Sequence, residues 1–119
     1  MNELKFNSQV CTTKEQSQRL LDLGLKPETA DMSHQYIEAE WSWFIIPCDW
    51  NNCTISEDTI PAWSLHRLFE MICNKECEEH YYFDFSIDYD SMADVYNSII
   101  EVIERHIKEN RFNKEYLKQ

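Results

Sequence analysis

Glycine is almost missing from this chain: one residue in 119. A Rossmann or Walker phosphate loop needs several glycines within a few positions, because backbone must approach phosphate closely. Such loops are therefore excluded. Long apolar runs are missing too. The longest, Trp43-Phe44-Ile45-Ile46-Pro47, falls far short of the ~20 residues a membrane helix needs. The opening Met1-Asn2-Glu3-Leu4-Lys5 has no basic stretch leading into an apolar one, so it does not read as a signal peptide, and a cytoplasmic location is expected. Bases are scarce as well: 11 Lys and Arg stand against 22 Asp and Glu, a net charge of −11.

What is present points to a folded domain. Apolar residues make up 43% and aromatics 13%, too many for intrinsic disorder. The length suits one domain. We assign it to residues 1–110, with 111–119 as a basic, loosely ordered tail. Acidity is concentrated in the middle. Residues 27–104 hold 17 acids and two bases, Arg67 and Lys75, a net −15, while both ends are mildly basic. Phosphates are neutralised by Lys and Arg, so direct nucleic-acid binding is not expected, nor is an anionic membrane surface. Cys11, Cys48, Cys53, Cys73 and Cys77 make an odd count, which with no export signal reads as reduced thiols.

The elements follow from periodicity. Leu4, Phe6 and Val10 share one parity, the pattern of a strand. Thr12-Thr13-Lys14-Glu15 has the capping-box form, with Thr12 as cap and Glu15 reaching back. Leu20, Leu21 and Leu23 give that helix its stripe, Gly24 supplies a left-handed stop, and Leu25 folds back on the last turn. Residues 36–46 alternate, with Ile37, Ala39, Trp41, Trp43 and Ile45 on one face, and read as one strand ended by Pro47. A loop over 48–59 follows, with a short extended piece at 54–56. A second helix starts near Thr59, with Pro61 in its first turn and Leu65, Leu68, Phe69 and Ile72 as its stripe. Residues 81–89 alternate as a half-buried antiparallel strand does. The third helix starts at Ser91, with Met92, Val95, Ile99, Val102, Ile103 and Ile107 on its apolar face and His106 just beside it. The expected fold is α+β, about three helices on a two- to four-stranded, mainly antiparallel sheet. Two strands alone are marginal in water, so a third strand, covering helices or a second copy of the chain is needed.

Thr13-Lys14-Glu15-Gln16-Ser17-Gln18-Arg19-Leu20-Leu21-Asp22-Leu23-Gly24-Leu25-Lys26-Pro27-Glu28-Thr29-Ala30-Asp31-Met32 resembles the opening of a family of small uncharacterised proteins from gut Bacteroidota genomes, their phages and integrated elements. Ile60-Pro61-Ala62-Trp63-Ser64-Leu65, with Arg67-Leu68 and Glu70, resembles that family's second block. The resemblance covers about a quarter of the chain. It implies a mobile-element or phage origin and carries over no catalytic residue.

Two constellations could carry chemistry. Cys73, Cys77 and His80, with Cys48 and Cys53 as a second pair, could supply tetrahedral zinc ligands. The tight C-x2-C knuckle is missing, so buried or idle thiols are the expectation and no cofactor is assigned. Asp84 and Asp88 share the polar face of the 81–89 strand, with Asp90 beyond it and Glu76, Glu78 and Glu79 before it. Paired acids can serve as acid and base or bind a divalent cation, but a solvated strand face explains them. Among the histidines, His66 and Glu70 sit at i, i+4 and read as a surface pair. Ser64 lacks the glycines of a nucleophile elbow. Most of the four tryptophans are expected in the core, with Trp50 as a candidate partner anchor. These readings converge on a non-enzymatic protein-interaction module with an acidic face (Glu78, Glu79, Asp84, Asp88, Asp90) for a basic partner, homodimeric if the sheet is completed by a second copy. A nucleic-acid mimic is its sharper form. The alternative is a metal-binding domain or metal-dependent enzyme using Cys73, Cys77 and His80 or the Asp84/Asp88 face.

Overall fold

A computed structural model describes residues 9–50, 54–72 and 91–118. Among these residues, three α-helices, α1 (Lys14–Asp22), α2 (Leu65–Ile72) and α3 (Met92–Lys108), accompany an antiparallel sheet of β1 (Met32–Ile37), β2 (Ser42–Pro47) and β3 (Thr59–Ala62) in the order β2-β1-β3. This is the expected small α+β fold. The expected strands at 4–10 and 81–89 fall largely or wholly outside the described residues.

Helix α1 starts one residue later than its spacing suggests. Thr13, not Thr12, is the cap, and Gln16 rather than Glu15 completes the capping box. Thr12 is left to bind β3 instead. Its amide donates to the Trp63 carbonyl at 2.9 Å, and its Oγ1 accepts from the Trp63 amide at 3.0 Å. The helix stops as expected. Gly24 has φ +102°, its amide donates to Leu21, and the Leu25 amide reaches back to Leu20. That double bond is the Schellman arrangement. A Cβ built on Gly24 meets nothing within 4 Å, so Gly24→Ala carries only backbone strain, about 1–2 kcal/mol. We expect a loss of a few degrees in melting temperature with the fold intact by circular dichroism.

The single strand expected over 36–46 is instead a hairpin. The Glu38–Glu40 segment forms a 3-10 turn, and Trp41 adopts φ 54°. The alternation survives on either side of this break, so the pattern looks continuous. The pairing sets Tyr36 against Trp43 and Gln35 against Phe44. The helix expected from Thr59 is corrected as well: residues 59–62 are strand, and α2 begins at Leu65. The Tyr36 amide points to β3, donating to the Asp58 carbonyl at 2.8 Å. Backbone groups alternate along a strand, so Ile60 and Ala62 face β1, while Pro61 faces the outer edge, where its missing N–H costs no ladder bond.

Helix α3 keeps its expected start, with Ser91 as cap. Its buried line is Tyr96, Ile99, Ile100, Ile103 and His106. Met92, Val95, Val102 and Ile107 are half-buried. Burial depresses the His106 pKa, with the Arg105 charge second. Gln16 ties α1 to α3 through Asn97 Oδ1 at 2.9 Å. The core gathers Leu20, Leu25, Trp63, Leu68 and Ile72 with Tyr96, Ile99, Ile100 and Ile103 of α3.

The expectation of a loose tail is corrected for residues 111–118. Helix α3 closes as α1 does, with Asn110 at φ 58° in place of glycine and the Arg111 amide bonded to His106. Phe112 is buried, the Lys26 amide donates to Tyr116, and the Lys118 amide donates to Gly24 at 2.7 Å. The apolar members Phe112, Tyr116 and Leu117 secure this segment despite its charge.

Candidate functional site

Most of the residues singled out above for chemistry lie outside the described residues: Cys73, Cys77, His80, Glu78, Glu79, Asp84, Asp88 and Asp90. Trp50 is described, and it is no exposed anchor. It is 4% exposed, and its Nε1–H donates to the Met32 carbonyl at 2.9 Å. A buried indole N–H needs an acceptor, and here a main-chain carbonyl of β1 supplies it. The His66–Glu70 surface pair is present at 3.1 Å.

Two arrangements look catalytic and are structural. Ser64 Oγ donates to Asp31 Oδ2 at 2.5 Å and accepts from the Arg67 amide, while Asp31 Oδ1 accepts from the Ser64 amide. These bonds begin α2, so the hydroxyl is committed. Cys11 Sγ lies 3.9 Å from His34 Nε2, but that nitrogen lies 2.7 Å from the Thr12 carbonyl and must donate its proton there. It cannot also accept one from the thiol. Burial, with the Asp31 charge second, pushes the Cys11 thiol up to about 11. A protonated, buried thiol is a poor nucleophile. We expect Cys11 to resist thiol labelling at pH 8 and to react once the protein is denatured, as read by mass mapping of labelled peptides.

A cleft of about 470 Å³ opens between the ends of β1 and β2 and α2, lined by Asp31, Pro47, Cys48, Asp49, Trp50 and Arg67 among others. Among the described residues, the buried Arg67 Nε has no hydrogen-bond partner, and Glu70 Oε1 lies 3.9 Å from it.

The described surface is most unusual at the β1–β2 hairpin. Trp41 is 80% exposed and sits in the left-handed region. That conformation is unfavourable for a bulky residue. Gly24 and Asn110, the other two left-handed residues described, are of types that tolerate it. Trp41 gains no burial to offset its strain. Glu38 and Glu40 precede it, and the Tyr36–Asp58 bond brings Glu57 and Asp58 to the same end of the sheet; all four acids are exposed. Ile55, also exposed, lies close by in sequence.

Along β2, Trp43, Phe44 and Ile45 are 39–46% exposed. Trp43 packs against Tyr36 at 5.5 Å between ring centroids and carries the Lys14 ammonium 3.3 Å from its ring centroid. Among the described residues, no strand pairs with the outer side of β2. Sequence reasoning misses this surface because it reads 36–46 as one strand and expects most of the tryptophans in the core. The Glu38-Ala39-Glu40 run, with no apolar residue larger than alanine, is the available signal for a turn.

Among the described residues, no three His, Cys, Asp or Glu side chains group as metal ligands, and no helix is long and apolar enough to cross a membrane. No protein-family model, curated protein or solved structure matches the chain.

Proposed function

We propose that the protein is a non-enzymatic interaction module of mobile-element origin, acting in the cytoplasm, which grips a basic partner segment at the tip of the β1–β2 hairpin. The observation that carries this reading is Trp41: exposed, held in a strained backbone, with Glu38 and Glu40 just before it and Glu57 and Asp58 at the same end of the sheet. An exposed indole offers a large rigid contact at low entropic cost, and the carboxylates select lysine or arginine beside it. The net −11 draws such a partner in from a distance.

A short peptide alternating lysine with valine is a suitable probe, with its glutamate counterpart as control. Binding followed by tryptophan fluorescence should weaken as salt rises, because exposed charges are screened. Trp41→Gly should abolish it. Relief of strain and the added freedom of glycine in the unfolded chain act in opposite directions, so folding stability should stay within about 1 kcal/mol of the parent. The combined Glu38→Gln and Glu40→Gln variant should weaken binding and leave the fluorescence of the free protein unchanged. Equal binding of the lysine and glutamate peptides, or unaltered binding by Trp41→Gly, refutes the proposal.

A further inference from the structure

The outer edge of β2 has a pattern that suits a copy of itself. The Cys48 amide donates to the Asp31 carbonyl, so it points inward to β1. By alternation Ile46, Phe44 and Ser42 also turn their backbone groups to β1. Trp43 and Ile45 therefore turn theirs outward, where no described strand meets them.

We infer that β2 pairs antiparallel with β2 of a second copy, joining two three-stranded sheets into one of six strands. Hydrogen-bonded pairs need outward groups on both strands. The centred register that provides them sets Trp43 against Ile45 of the second copy and Ile45 against its Trp43, and places the two Phe44 residues across the two-fold axis. The three central cross-strand pairs are then apolar against apolar, the combination that stabilises a sheet, and Ser42 faces Ile46 at either end. Ser42 through Pro47 contains no charged residue, so self-pairing brings no like charges face to face. That distinguishes a second copy from the basic segment proposed for the tip, whose charges would find no counterion along this edge.

The area is adequate for a reversible dimer. Large side chains carry ~150–250 Å² each; the exposed parts of Trp43, Phe44 and Ile45 with the open backbone edge come to roughly 400–500 Å² per copy. Two copies bury roughly 800–1,000 Å², the low end of the interface range, where weak and reversible association lies. The six residues of β2 span about 20 Å at 3.3 Å per residue. The two acidic tips then lie at opposite ends of the joined strands, and the dimer presents two of them.

Light scattering and sedimentation across micromolar to millimolar concentrations test the association, with no peptide present. A reversible dimer is expected. It should strengthen with salt, because two chains of net −11 repel each other. Peptide binding at the tip should respond to salt in the opposite direction, so the two proposals fail separately. Ile45→Lys should raise the dissociation constant by about tenfold or more, since an edge lysine blocks strand pairing. Mild oxidation tests the register. Phe44→Cys places two thiols across the axis within disulfide reach, whereas Ser42→Cys leaves them about four residues apart. Cross-linked dimer well above the wild-type background is expected for Phe44→Cys alone. A monomer throughout the concentration range overturns the inference, as does equal cross-linking of the two cysteine variants.

Discussion

Trp63→Ala is expected to cost about 3–5 kcal/mol, the usual range for deleting a buried tryptophan side chain. Trp63 is fully buried at the junction of β3 and α2, within the core cluster of Leu20, Leu68 and Ile100. Its loss also removes a polar tie, since its Nε1–H donates to Thr29 Oγ1 at 2.9 Å. A small domain has only about 5–15 kcal/mol of total stability. The variant should therefore lie near the edge of folding, with its urea midpoint sharply lowered. Trp63→Phe, which keeps most of the volume, should lose clearly less. Equal losses in the two variants would show that packing around the indole is not what holds this region.

The second large effect is expected from one buried hydroxyl. Thr12 Oγ1 accepts the Trp63 amide at 3.0 Å and lies 2.7 Å from Ser17 Oγ, and all three groups are inaccessible to solvent. Thr12→Val preserves shape and deletes the acceptor. Ser17 retains the Thr13 carbonyl as a helical alternative, but the Trp63 amide has no substitute. A buried donor left unpaired costs about 1–3 kcal/mol, so we expect about 2 kcal/mol by chemical denaturation. Thr12→Ser keeps the oxygen and should lose less than about 1 kcal/mol. A Thr12→Val protein as stable as the parent would show that the amide is satisfied in another way.

Local signals are legible in the sequence and non-local ones are not. The Gly24 stop and the Ser91 cap involve residues within a few positions of each other, so spacing alone reveals them. The capping box reads one residue early because Thr12 and Thr13 are both competent caps. Only the distant Trp63, which engages Thr12, decides between them. The hairpin is hidden for another reason. Its turn rests on Trp41, a residue whose propensity opposes the conformation it holds. Pro61 suits a first helical turn and an outward edge position equally, and the pairing of Thr59–Ala62 with β1 settles the matter. The acidic character of the candidate site is visible as composition. Its location at a hairpin tip depends on β-pairing that no window of sequence contains.

The return of residues 111–118 to Gly24 and Lys26 has a kinetic consequence. Leu117 bridges Leu25, Gln16 meets Asn97 across 81 positions, and Thr12 meets Trp63 across 51. Each of these ties closes a long loop before it contributes any stability, and such closures slow folding from the microseconds of helical bundles towards milliseconds or seconds. The hydrogen bond from Lys118 also engages the residue that stops α1. The last described turn is therefore anchored on the stop of the first helix, a tie that closes only after the chain between them has folded.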